Sequence, residues 1–120
     1  MFPAPVVLSY NACKPIATFV LAVVLVNNAS LPDSIGNLSN LKTIGLAGNQ
    51  LTNLPESFWN LTNLTWIALG WMSLGNQLTS LSERIENLTK LKSLLLDNNE
   101  ITNLPESIGN LDSLIVLRLG

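Results

Sequence analysis

Apolar residues recur through the second two-thirds of the chain at a spacing that neither a lone helix nor a lone strand would produce. Leu41, Ile44 and Leu46 followed by Asn49, and Leu91, Leu94 and Leu96 followed by Asn99, both spell L-x-x-L-x-L-x-x-N. Each block continues into nearly the same text, Thr52-Asn53-Leu54-Pro55-Glu56-Ser57 and Thr102-Asn103-Leu104-Pro105-Glu106-Ser107, then Phe58 or Ile108 and Leu61 or Leu111. Units begin at Leu41, Leu64, Leu91 and Leu114, in steps of 23, 27 and 23 residues. Self-similarity at such a period means stacked coils, each too small to bury its own apolar side. Alternation within Leu94-Leu95-Leu96 predicts a short strand with Leu94 and Leu96 inward and Leu95 outward. Asn49, Asn76 and Asn99 fall where the chain turns away from the sheet, and their buried amides are expected to satisfy loop carbonyls and N–H groups. The i, i+3 spacing of Phe58, Ile85 and Ile108 with Leu61, Leu88 and Leu111 predicts one 3₁₀ or helical turn per unit on the opposite side.

The resulting layout is an irregular N-terminal flap over 1–17, a degenerate first repeat over 18–40, and repeats at 41–63, 64–90, 91–113 and, in part, 114–120. The 64–90 unit holds four extra residues, confined to the stretch after Leu69 in which Gly70-Trp71-Met72-Ser73-Leu74-Gly75 delays the turn asparagine to Asn76. In the first unit Val26 stands where the asparagine should be, and in the third Ser82 replaces the proline. The last predicted strand, 115–119, has no polar cap after it, so a longer solenoid is expected.

These residues resemble the leucine-rich-repeat family from Leu31 to Gly120. The L-P-x-x-[IF]-x-x-L form is most similar to the 23-residue subclass of Ras-suppressor-type scaffolds and plant intracellular Ras-group-related proteins. The resemblance implies an α/β solenoid, a right-handed coil with a short parallel sheet on the concave face and 3₁₀ or short helical turns on the convex side. It also implies a non-catalytic protein-interaction module in a cytoplasmic signalling scaffold, with a small GTPase or signalling protein among its partners.

Composition narrows the chemistry. The chain has 120 residues and a net charge of −2, with six Lys and Arg against eight Asp and Glu spread singly, so no basic stripe exists for nucleic acid. Histidine is absent, which removes the commonest acid–base side chain and the commonest zinc ligand. Cys13, the single cysteine, has no disulfide partner and no activating histidine, favouring a reducing compartment. Glu56, Glu83 and Glu106 share one slot and predict a solvated convex row rather than a catalytic pair. No catalytic, cofactor or metal site is therefore expected.

Two features leave other readings open. The uncharged run 16–26 is too short to span a bilayer, which needs about 20 residues, so a membrane role is not expected; it fits the strand of the worn first unit, with a signal or anchor segment as the alternative. Asn-x-Ser/Thr tripeptides at Asn28, Asn37, Asn60, Asn63 and Asn87 would be glycosylation sites in a secreted receptor or inhibitor. Otherwise they are small polar residues that the repeat prefers. A third reading makes the chain the recruiting end of a larger enzyme.

A partner is expected on the outward strand positions. Trp66 and Val116 lie in one column with Thr43, Ala68 and Leu95 in the next with Arg118, and Asp97 beyond, while Lys42 and Lys92 flank the first column and Trp71 stands in the inserted stretch. An aromatic anchor beside small residues with a few charges is the composition of an interface; the alternative is that Trp66 only covers the gap left by Gly45, Trp71 tucks into the bulge as local core and Trp59 packs convexly.

Overall fold

A computed structural model describes residues 7–10, 19–24 and 30–120. Six strands form one sheet in sequence order: β1 (Val7–Tyr10), β2 (Phe19–Val24), β3 (Leu41–Gly45), β4 (Trp66–Gly70), β5 (Ser93–Leu96) and β6 (Val116–Arg118). From β2 onward every pair is parallel, and a 3₁₀ turn on the other side joins each strand to the next: η1 (Asp33–Asn37), η2 (Glu56–Asn60), η3 (Glu83–Asn87) and η4 (Glu106–Asn110). The chain is thus a repeat solenoid, sheet on one face and tight turns on the other.

The repeat offset sets the register. Val20, Leu21 and Ala22 pair with Thr43, Ile44 and Gly45, which pair with Trp66, Ile67 and Ala68, and these with Ser93, Leu94 and Leu95. Inward columns follow at once. Leu41, Leu64 and Leu91, then Ile44, Ile67 and Leu94, then Leu46, Leu69 and Leu96, are all at most 2% exposed. Burying each such side chain contributes about 1.5–3 kcal/mol, more than any polar contact in the molecule offers. Phe58, Ile85, Leu61 and Leu88 close the core from the turn side. In the last unit Leu117 and Leu119 are exposed.

The asparagine ladder has the geometry the sequence asks for. Asn76 Nδ2 donates to the carbonyls of Leu69 at 2.6 Å and of Leu46, one unit earlier, at 2.9 Å. Its Oδ1 accepts from the N–H groups of Asn49 at 3.1 Å and Leu51 at 2.9 Å. Asn99 repeats the pattern against Leu69, Leu96 and the Leu78 N–H, and Asn49 Nδ2 donates to Leu46 O at 2.8 Å. Asn76 and Asn99 therefore each bond their own unit and the one before. On the turn side Pro32, Pro55 and Pro105 precede η1, η2 and η4 in extended conformation, and Ser82 takes that position before η3. Ser82 compensates for the missing proline as a cap: its Oγ accepts from Arg84 N at 3.2 Å.

Two expectations need amendment. Val7–Tyr10, placed in an irregular flap, is a strand antiparallel to β2. Without it β2 would present a row of unpaired backbone groups, and pairing removes that cost. Trp59 does pack on the convex turn side, 2% exposed and edge-on against Phe58 at 5.1 Å between ring centroids. Outward strand positions are not uniformly open, as described below. Cys13, Asn28 and residues 16–18 and 25–26 of the 16–26 run lie outside the described residues, and among those described no helix is long and apolar enough to cross a membrane.

Candidate recognition face

The outward rows across the sheet are Thr43, Trp66, Ser93 and Val116, then Gly45, Ala68, Leu95 and Arg118. A side chain at Gly45 would begin 3.9 Å from Cζ3 of Trp66, so the indole leans toward that glycine on the preceding strand. Trp66 is consequently half-buried, and Ala68 and Leu95 are each 3% exposed. The outward exposure expected of Ala68 and Leu95 is not found: the centre of the sheet face is closed to solvent at both. Asp97 is buried as well. Its Oδ1 lies 3.2 Å from Arg118 Nη2, so this charge pair braces the last strand rather than standing free, although the guanidinium keeps half its surface in solvent. Beyond Ala68 the register slips, and Gly70 pairs with Leu96 instead of lying level with Asp97.

The four-residue insertion supplies what the sheet centre lacks. After β4 the chain makes a two-residue reversal in which Trp71 and Leu74 exchange backbone hydrogen bonds of 2.8 and 2.9 Å, with Met72 at φ 54°. That reversal carries Trp71 back over Trp66, with ring centroids 6.1 Å apart and planes tilted by 52°. Trp71, Met72 and Leu74 are left 38%, 69% and 58% exposed. Three large apolar side chains on one short rim exceed the scattered singles normal for a surface.

The rim is fastened on both sides. Gly48, at φ +76°, donates its N–H to Gly75 O at 3.0 Å, and Leu74 packs over it. On the following unit Asn98 Nδ2 donates to Met72 O, while Gly75 lies so close to Asn98 that a Cβ would fall 1.6 Å from its carbonyl oxygen. Gly70 meets Asp97 O at 1.7 Å in the same way. Both glycines are required by close backbone approach, a role that sequence reading missed; a glycine at each end of a strand-exit insertion was the available signal.

The remaining candidates sit where charge matters. Lys42 and Lys92 are exposed and Thr43 half-buried at the leading end of the strands. Thr65 links the lysines, donating to Lys42 O and accepting from Lys92 N, both at 2.8 Å. Val116 is 39% exposed on the last strand. Away from this face, Glu56 pairs with Arg84 at 3.5 Å, and Glu83 accepts from Ser107 N at 3.0 Å. The Ser107 hydroxyl and N–H beside it hold the Glu83 carboxyl below its ordinary pKa. Of the two, the N–H makes the hydrogen bond; the hydroxyl, outside full hydrogen-bond geometry, adds its dipole. Asn60 and Asn63 are engaged with Arg84 and with Lys90 and Ser39. Among the described residues no three Asp, Glu, His or Cys side chains gather where a metal ion could be held.

Comparison with known proteins agrees with this architecture. The family model described as Leucine Rich Repeat matches residues 40–61 and 90–111. A leucine-rich-repeat protein of Leptospira interrogans superposes with a TM-score of 0.69 at 37% identity over 74% of this chain and 22% of its own. Internalin C2 of Listeria monocytogenes gives 0.68 at 30% identity over 87% and 42%. The ectodomain of the Arabidopsis receptor kinase HAESA, solved with an N-terminally extended IDA peptide hormone, gives 0.66 at 35% over 76% and 16%. The chain thus spans less than half the length of each of these neighbours. No curated protein matches it significantly. The two matched stretches and the solved solenoids together support assignment to the leucine-rich-repeat family.

Proposed function

We propose that the chain is a non-catalytic protein-recognition module whose contact surface is the aromatic rim and leading edge of the sheet. The observation that carries this reading is the exposed Trp71, Met72 and Leu74, on a reversal that sets Trp71 against Trp66 and is fastened to the neighbouring units. A rigid apolar anchor binds at little entropic cost because its ordering precedes binding. The HAESA neighbour, described in complex with a peptide hormone, supports a peptide segment as ligand. Neither that complex nor that of a neighbour solved as a BIR3–SERK2 complex supports a small GTPase as partner, an expectation that came only with the resemblance. Assignment to the 23-residue L-P-x-x-I-x-x-L subclass, a scaffold role in signalling and a cytoplasmic location rest on the Leu54-Pro55 spacing and the lone Cys13, and belong to the same proposal.

Selection from a random peptide display library against the purified chain tests the reading. Trp71→Ala, checked for retained fold by circular dichroism, serves as counter-target. Peptides enriched on the native chain and lost on the variant support it. Enrichment equal on both removes the rim from the site.

A further inference from the structure

The two faces of the solenoid carry opposite charge. On that difference, and resting on the reading of the sheet face as a recognition surface, we propose that the partner presents an acidic segment with an aromatic or large aliphatic residue within about three positions of a carboxylate.

The turn face holds Asp33, Glu56, Glu83, Glu86 and Glu106, and its only cation among the described residues of η1 to η4, Arg84, is paired with Glu56. The sheet face reverses the balance. Lys42, Lys92 and Arg118 stand against one carboxylate, Asp97, which is buried and held by Arg118. Neither lysine has an ion-pair partner among the described residues, so both ammonium groups are open to a ligand. Glu100 and Asp112, in the loops that follow Asn99 and η4, pair with neither.

The net charge of −2 would by itself turn an acidic partner away. Screening decides otherwise: charges are damped over about 8 Å at physiological salt, and one packed layer is about 10 Å deep. A ligand on the sheet face therefore feels the lysines more than the turn-side carboxylates. The backbone ladder through Thr65 holds Lys42 and Lys92 two strands apart, about 10 Å, on either side of Trp66. Since Trp66 follows Thr65 by a single residue, indole and ammonium groups lie within one to three residues' reach of an extended chain. That proximity fixes the spacing of the motif.

The display selection, read for composition, tests the motif. Asp and Glu should be enriched next to an aromatic or aliphatic residue, and a selected peptide should bind the Lys42→Glu, Lys92→Glu double variant about tenfold more weakly at low salt, with the difference shrinking at high salt. The variant's fold is checked by circular dichroism. Exposed lysines outside the core make unfolding on substitution a remote concern, and Lys42→Gln, Lys92→Gln provides a milder second variant. Enriched peptides that are neutral or basic, or affinity unmoved by both variants, overturn the acidic motif while leaving the recognition reading intact. No enrichment over the Trp71→Ala control refutes both.

Discussion

Truncating Asn76 to Ala tests the ladder on which the stacking depends. The amide is 6% exposed and makes four hydrogen bonds that join two units, and alanine removes all of them. The carbonyls recover in part: Leu46 O keeps Asn49 Nδ2 and Leu69 O keeps Asn99 Nδ2. The N–H of buried Leu51 is left without its acceptor. At about 1 kcal/mol net per bond, with about 1–3 kcal/mol for a buried group left unsatisfied, the loss comes to about 3–5 kcal/mol. Against a total stability of about 5–15 kcal/mol that is a large share of the fold. Asn99→Ala is the internal control: partly buried, with bonds of 3.1 to 3.3 Å, it should cost about 1–2 kcal/mol. Urea unfolding followed by circular dichroism measures both, and amide exchange at Leu51 should accelerate only in the Asn76 variant. A cost below about 1 kcal/mol would refute the claim that cross-unit amide bonds hold the coils together.

Other substitutions probe separate links. Gly70→Ala forces a Cβ to 1.7 Å from Asp97 O and should destabilise the chain by more than about 3 kcal/mol, whereas Gly109→Ala, with nothing within 4 Å, should change it by less than about 1 kcal/mol in thermal melts. Ser82→Ala should lose about 1 kcal/mol with the Arg84 N–H cap, while Ser82→Pro should lie near neutral, since φ −70° already suits the ring. The lowered Glu83 pKa means that the unfolded chain binds this proton first. Its stabilisation is therefore complete above the ordinary value of 4.5 and disappears as pH falls through the lower folded value, so Glu83→Gln should flatten the acid limb of stability against pH.

Sequence made the framework legible because the framework is periodic. The 23- and 27-residue offsets became strand register without adjustment through Ala68 and Leu95, and the asparagines landed in the turns. What escaped it is aperiodic. Alternation assigns Ala68 and Leu95 to the outward face but carries no information about whether that face is covered, and both are buried. Trp59 occupies a slot that is Gly36, Glu86 or Gly109 in the other units, so no column announced its burial. Backbone-to-backbone approach at Gly70 and Gly75 involves residues 27 and 23 positions away, distances over which a glycine says only that room is short.

The insertion shows how a solenoid gains a specific surface without losing its stack. Inward leucines and turn asparagines are shared between units, so a change at one is felt by its neighbours. Four residues added anywhere inside the Leu64–Leu69 block would shift a whole column. Added between Leu69 and Asn76 they shift none: Asn76 still reaches Leu69 O and Leu46 O, and the following units keep their offset. The surplus chain must then leave the sheet, and Gly48 and Asn98 catch it on either side. An apolar reversal held at both ends cannot sink into a core already filled by Leu46, Leu69 and Leu96, so its side chains remain outside. Exposure of Trp71 and Met72 is thus a consequence of the ladder's rigidity, and the same rigidity preorganises them for a partner.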